Sequence, residues 1–321
     1  MKTVLVTGGA GFLGSHLVDR LLAMGIRVRV LDNLFRGSAA NLSKHRESPD
    51  FTFIQGDILD FPALLKAASG VDTVFHMAAI NGTRYFYEQP QEVLKVNSLG
   101  TMNVFQAADE LDVNKVVFAS SSEVYGTPGH FPTSEAEPIN LDPPKETRWC
   151  YAVSKLLGEH LSYAANKRGI DTIVLRYFNA YGPRLLGTPY GQVVSIFIRD
   201  VLKGTPPTIN GHGRQTRSFT YVTDTIEATI AAAETERAVG EVLNIGSQDE
   251  VTILELATKI IDLCGQSGTL RPVHVEPLPA DSRRRVPDTT KTERVLGFRP
   301  KVSLTDGLKK TIHWFRESET C

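Results

Sequence analysis

Along its first 180 residues the chain alternates between two apolar rhythms. Short runs rich in β-branched residues, KTVLVT (2–7), IRVRVLD (26–32), FTFIQ (51–55), DTVFHMA (72–78), KVVFAS (115–120) and DTIVLRY (171–177), have the length and composition of buried strands. Between most of them lie segments whose apolar positions recur at helical spacing: GSHLVDRLLAMG, PALLKAASG, EVLKVNSLGTMNVFQAADEL and YAVSKLLGEHLSYAANKRG. Strand, helix, strand in repeated order requires parallel pairing through right-handed crossovers, with both faces of the sheet covered. The pattern predicts an α/β fold, a doubly wound parallel sheet over residues 1–178. From about Asn179 the texture shifts to shorter strands (FTYV, EVLNIG) with more Pro and Gly. This predicts a smaller mixed α/β domain over 179–321, partly interleaved with the first and sharing a cleft with it.

Composition adds mainly exclusions. With 321 residues, 41% hydrophobic and 22% charged, the chain has the make-up of a globular protein with a sizeable core. A net charge of -1 provides no field to gather nucleic acid or anionic lipid, so an anionic ligand must be gripped by local groups. Cys150, Cys264 and Cys321 are odd in number, far apart and without a CxxC pair, which argues against a disulfide framework and a zinc site. No stretch approaches the roughly 18 apolar residues of a membrane span, and the N-terminal run is too short for a signal-peptide core. The expectation is a cytoplasmic protein without membrane, nucleic-acid or metal partners.

Candidate chemistry collects where the predicted strands end. TGGAGFLG (7–14) follows the first strand and opens a helix. Glycines 8, 11 and 14 allow a tight turn and close approach of a pyrophosphate, while the helix N-terminus offers free N–H groups. Gly8, Gly11, Phe12 and Leu13 are therefore candidates for holding a dinucleotide. Asp32 ends the second strand, 18 residues beyond Gly14, placed to accept from ribose hydroxyls and to repel a 2′-phosphate. NAD is expected rather than NADP, with Asn33 in the same set; a capping role is the alternative for Asp32. Arg36 is expected to face solvent. Asp57 and Ile58, after the third strand, are candidates for the adenine, with a plain turn aspartate the competing reading.

Tyr151 and Lys155 are four apart at the start of a predicted helix and so share a face. An ammonium one turn from a phenol lowers its pKa and lets it take a proton from a sugar hydroxyl. SSSEVYG (120–126) ends an apolar strand in hydroxyls and then Glu123, a residue costly to bury unless something uses or pairs its charge.

Together with HMAA, VNSLGTMNV, RYFNAYGPR, GRQTRSFTYVTD, LNIGS and RRRVPDTTKTERVLGFRP, these motifs resemble the extended short-chain dehydrogenase/reductases that modify nucleotide sugars on a Rossmann-type domain. The resemblance covers nearly the whole chain. It implies NAD as cofactor, a nucleotide-diphosphate sugar as substrate, and Ser121, Tyr151 and Lys155 as the catalytic trio. It further implies that Met77, Ala78 and Ala79 line the dinucleotide, that Asn97 supports the site, and that His76 is a packed histidine. Asn179, Arg217 and Arg284, the last preferred over Arg283, would meet the substrate diphosphate or a hydroxyl. The apolar faces of the helices carrying Asn97 and Tyr151 are similar to the family's dimer-forming pair.

Within the family, 4,6-dehydratases place an Asp where this chain has Ser122, a poor general acid. A hydroxyl, then Ser122, then Glu123 resembles the UDP-glucuronate decarboxylases. The implied chemistry is transient oxidation at C4 followed by a Glu123-assisted step at C5, giving an epimerase or decarboxylase. Dehydration, 4-epimerisation without C5 chemistry, or a silent dinucleotide-binding regulator are the alternatives. The Asn81–Tyr87 stretch departs from the decarboxylases' Ser-Pro-rich segment. It is expected as a loop over the sugar, with Arg84 and Tyr85 as candidate contacts.

Overall fold

The computed structural model describes residues 1–142, 145–185, 188, 191–277 and 282–318. All six predicted strands form: β1 (Thr3–Thr7), β2 (Arg27–Asp32), β3 (Phe51–Gln55), β4 (Thr73–His76), β5 (Lys115–Ser121) and β6 (Asp171–Tyr177). Beyond residue 178 lie β7 (Ala180–Tyr181), β8 (Thr208–Asn210), β9 (Thr216–Ser218), β10 (Thr220–Tyr221), β11 (Val242–Ile245), β12 (Glu250–Thr252), β13 (Val273–Val275) and β14 (Arg284–Arg285). The main sheet runs β11-β6-β5-β4-β1-β2-β3, parallel throughout. Because β11 belongs to it, a cut of the chain at residue 178 passes through the sheet. We therefore propose the two regions as interleaved.

Alternation along the strands explains the layering. Val4 and Val6 face one way, with Val28, Val30, Phe75 and Val117, onto a core shared with α1 (Phe12–Ala23). Leu5, Leu31, Val74 and Val116 face the other way, onto α2 (Phe61–Ala68). Each such fully buried aliphatic side chain contributes roughly 1.5–3 kcal/mol relative to exposure. The strand order reverses between β1 and β4, whose C-terminal ends part to leave a crevice.

Three segments depart from the sequence pattern, and all of them border that crevice. The expected loop after β4 contains a helix, α3 (Thr83–Glu88), which buries Phe86 and carries an Arg84–Glu88 ion pair on its outer side. The single helix expected over 92–111 is α4 (Pro90–Leu94) and α5 (Gly100–Glu110), joined by a π-helical turn over Lys95–Leu99. That wider turn sets Asn97 into the interior, 1% exposed, and such turns are frequent at functional sites. FTYV is a strand only at Thr220–Tyr221, since Val222 opens a later helix (Val222–Glu234). Helix α6 (Cys150–Asn166) lies against β5 and β6 and brings Tyr151 and Lys155 to the crevice.

Candidate active site

A cavity of about 1200 Å³ follows the C-terminal edge of the main sheet. One half is built by the glycine turn. Gly8 has φ +69°, and a Cβ there would lie 2.7 Å from the Ala78 backbone; at Gly14 a Cβ would collide with the Gly8 carbonyl. Only glycine permits this strand, turn and helix to close into a cradle with space above it. Gly11, Phe12, Leu13, Asp32, Asn33, Asp57, Ile58, Met77, Ala78 and Ala79 line the same half. Asp32 is buried. Its two carboxylate oxygens accept from the Ala10 and Leu34 amides at 2.9 and 2.8 Å, and burial outweighs these bonds to push its pKa up. Each oxygen keeps acceptor capacity for a ribose hydroxyl. Asn33 donates to Asp57 at 2.8 Å, joining the ends of the second and third strands.

One expectation for this half is made specific and another is corrected. Asn97 does not line the cavity. It accepts from the Ile80 amide (2.8 Å) and donates to the Ile80 carbonyl (3.1 Å) and to Ser154 (3.3 Å), bracing the wall from behind. Arg36 does not face solvent. It lines the cavity with its guanidinium 5.3 Å from the centre of the Tyr85 ring.

The other half centres on Tyr151 and Lys155, 5% and 3% exposed. Lys155 Nζ donates to the Ala119 carbonyl at 2.7 Å and stands 5.7 Å from the Tyr151 ring centre. Burial pulls its pKa down to about 7, partly opposed by Glu159. Burial and the nearby Glu123 carboxylate push the Tyr151 phenol above its ordinary range, against a hydrogen bond with Ser121 and the charge of Arg36. Beneath them Glu159 ties the strand ends together, accepting from Ser120 at 2.5 Å and bidentately from Arg176 at 2.9 and 2.6 Å.

Glu123 follows Ser122 in a 3₁₀ turn, Ser122–Tyr125, whose Ser121 cap accepts from the Glu123 amide at 3.2 Å. Its carboxylate lies between two guanidiniums, Arg285 Nη1 at 2.6 Å and Arg148 Nη2 at 3.1 Å. Burial alone would raise its pKa, but Arg148, Arg285 and Arg217 outweigh it and hold the carboxyl at about 2. Here the carboxylate is a paired anion.

Of the two neighbouring arginines, it is Arg285 and not the expected Arg284 that lines the cavity. Neighbours on a strand face opposite ways, and β14 pairs with β9 so that Arg285 stands beside Arg217. Arg217 and Arg285 line the cavity, while Arg284 turns outward to Glu250, both bonds at 2.8 Å. Asn179, at φ +29°, lines the cavity and donates to the Ser218 carbonyl at 3.0 Å. Ser122 is a buried lining residue. Arg84 is on the rim, its side chain half exposed and its Nε 2.5 Å from Glu88. Sequence reasoning missed Arg148, Arg285 and the inward Arg36. Arg148 sits three residues before Tyr151, and that proximity was a usable signal. Cys150 and Cys264 are free thiols, and Cys321 lies outside the described residues.

Residues 4–246 match the profile of the NAD dependent epimerase/dehydratase family. The chain is 41% identical to the UDP-N-acetyl-alpha-D-glucosaminuronate decarboxylase of Bacillus cytotoxicus, over 99% of each chain. Among solved structures it is similar to the UDP-glucose 4-epimerase of Thermotoga maritima with UDP-glucose (33% identity, TM-score 0.90, covering 98% of this chain and 99% of that one). The UDP-glucuronic acid 4-epimerase of Bacillus cereus, in complex with UDP-glucuronic acid and NAD, is similar at 32% identity and TM-score 0.88, with the same coverage.

Proposed function

The chain belongs to the NAD-dependent epimerase/dehydratase family, and on that premise we propose that it decarboxylates a nucleotide-linked uronate through transient oxidation at C4. Bound in the glycine cradle, NAD would supply the electron acceptor that this oxidation needs. Gly8, Gly11, Asp32 and Met77–Ala79 would hold it; Tyr151 takes the C4 hydroxyl proton, Ser121 orients the same oxygen, and Lys155 supports the phenolate once formed.

The observation that carries the reading is the Arg148–Glu123–Arg285 cluster. A carboxylate paired with two guanidiniums at 2.6 and 3.1 Å is a weak base, and C5 proton removal for dehydration or 5-epimerisation requires a stronger one. Decarboxylation requires none. The C5–C6 bond breaks as CO2 leaves, its electron pair passes into the C4 carbonyl as an enolate, and a proton then adds at C5. Arginines at that place suit a substrate carboxylate and a developing enolate, with Glu123 assisting at C5 by holding them in position. The 41% identity with a UDP-N-acetyl-glucosaminuronate decarboxylase supports the same assignment. Leu99, Met102 and Val153, exposed on the π turn, α5 and α6, form the face through which we propose a homodimer.

The test is incubation with UDP-glucuronate and UDP-N-acetylglucosaminuronate in deuterated water, followed by mass spectrometry and NMR. Loss of CO2 with one deuterium at C5 is expected. Retained mass with inversion at C4 would make the protein a 4-epimerase and refute decarboxylation.

A further inference from the structure

The Tyr151 ring is not held by its hydrogen bonds alone. Phe86 lies against it with ring centres 4.8 Å apart and planes only 14° from parallel. A phenol's hydroxyl lies on the ring's long axis, so spinning the ring leaves the oxygen in place whereas tilting it displaces the oxygen. The conjugated oxygen also directs its hydrogen bonds close to the ring plane. Terminal sp³–sp² torsions are broad, so the protein must set that plane by packing. A flat neighbour across one face blocks tilting toward it and fixes the plane at once.

Phe86 is itself anchored. It is 2% exposed in a cluster with Ile80, Val93, Cys150 and Tyr151, and its carbonyl accepts from Cys150 Sγ at 3.8 Å, beside the tyrosine it covers. Asn97 pins Ile80 from behind. On the preceding residue of α3, the Tyr85 ring lies under the Arg36 guanidinium and 5.8 Å from Phe35, tying the helix to the opposite wall.

Resting on the reading of Tyr151 as the base, we propose that Phe86 is its positioning residue, holding the phenol plane so that the hydroxyl meets Ser121 and the substrate oxygen. The segment that departs from the decarboxylases' Ser-Pro-rich pattern thereby acquires a role in the chemistry, through a ring stack rather than through a contact from Arg84. Phe86 also keeps water from one face of the phenol, which contributes to the burial that raises its pKa. The charged and titratable groups facing Tyr151 are Glu123 at the strand end, Arg36 from the opposite wall, and Lys155 and Cys150 on its own helix, with the Ser121 hydroxyl as a hydrogen-bond partner.

The test uses the full chain with Phe86→Leu and Phe86→Ala. Leu preserves most of the apolar volume without the flat face, so it decides the matter if the Ala variant fails to fold. Two quantities are read. One is kcat and KM on whichever uronate the wild type converts. The other is the titration of Tyr151 in 3-fluorotyrosine-labelled protein by fluorine NMR, its resonance assigned by its loss in Tyr151→Phe. Both variants are expected to lose roughly 10- to 100-fold in kcat with KM within about twofold, since small misplacements of a reacting group cost on that order. In both, Tyr151 should titrate at lower pH as water reaches the ring. Unchanged kcat in both variants overturns the proposal whatever the titration does, as does a change confined to KM. If the wild type converts no nucleotide sugar, the proposed function fails while the titration still decides the stack.

Discussion

Glu123→Gln removes the carboxylate between Arg148 and Arg285 while preserving its shape. The folded carboxyl sits at about 2 against an ordinary 4.5. At 1.36 kcal/mol per pH unit, this amounts to about 3 kcal/mol of stabilisation at neutral pH. Removing one partner of a buried pair typically costs 3–5 kcal/mol, because the remaining charge is left buried, and the two estimates agree. The side chains concerned are 14%, 2% and 11% exposed for Glu123, Arg148 and Arg285, so solvent screening discounts little. A folded pKa below the unfolded one means the contribution is complete above about pH 4.5 and is lost as pH falls through about 2. Urea unfolding of wild type and variant should differ by about 3 kcal/mol at pH 7, or about 4 to 5 °C in Tm at an unfolding entropy near 2.1 cal/mol/K per residue. At pH 3 the difference should shrink to about 1 kcal/mol. A difference below about 1 kcal/mol at pH 7, or one that does not change with pH, refutes the argument. The same substitution also removes a charge that holds the Tyr151 proton on, so the phenol should ionise at lower pH in the variant.

Two further outcomes follow from neighbouring groups. Arg285→Met should lower kcat/KM on the converted uronate by roughly 100-fold, while Arg284→Met, which breaks a surface pair with Glu250 and a contact over the Phe131 ring, stays within a few fold in steady-state assays; equal losses would contradict the facing assignment. Lys155→Met should abolish turnover yet stabilise the coenzyme-free protein, because the folded lysine near 7 binds fewer protons than the unfolded one up to about 10.5. Wild-type stability should therefore rise from pH 7 to 10 in chemical denaturation and the variant's should lack that rise.

Much of this molecule was legible from the pattern of its residues. Six strands, the glycine turn, Asp32 at the end of the second strand and the Tyr151–Lys155 spacing depend on local periodicity and on backbone geometry that only certain residues permit. What escaped was of another kind. Whether Arg284 or Arg285 faces inward is a question of strand register, and one residue of slip reverses the answer. The helix at Thr83–Glu88 is too short for a periodic signal and forms because Phe86 finds Tyr151 to stack on. Asn97 was legible as a supporting residue, but its aim at Ile80 depends on one π turn that no propensity encodes.

The order of residues by itself determined the doubly wound sheet, the glycine turn proposed to hold the dinucleotide and the Tyr151–Lys155 pair proposed for proton transfer, since each shows as a local periodicity or spacing. Only the tertiary structure decided what state Glu123 is in. Arg148 and Arg285 lie 25 and 162 residues away from it. A carboxylate's proton affinity is set by the charges and solvent around it, and folding alone brings those together.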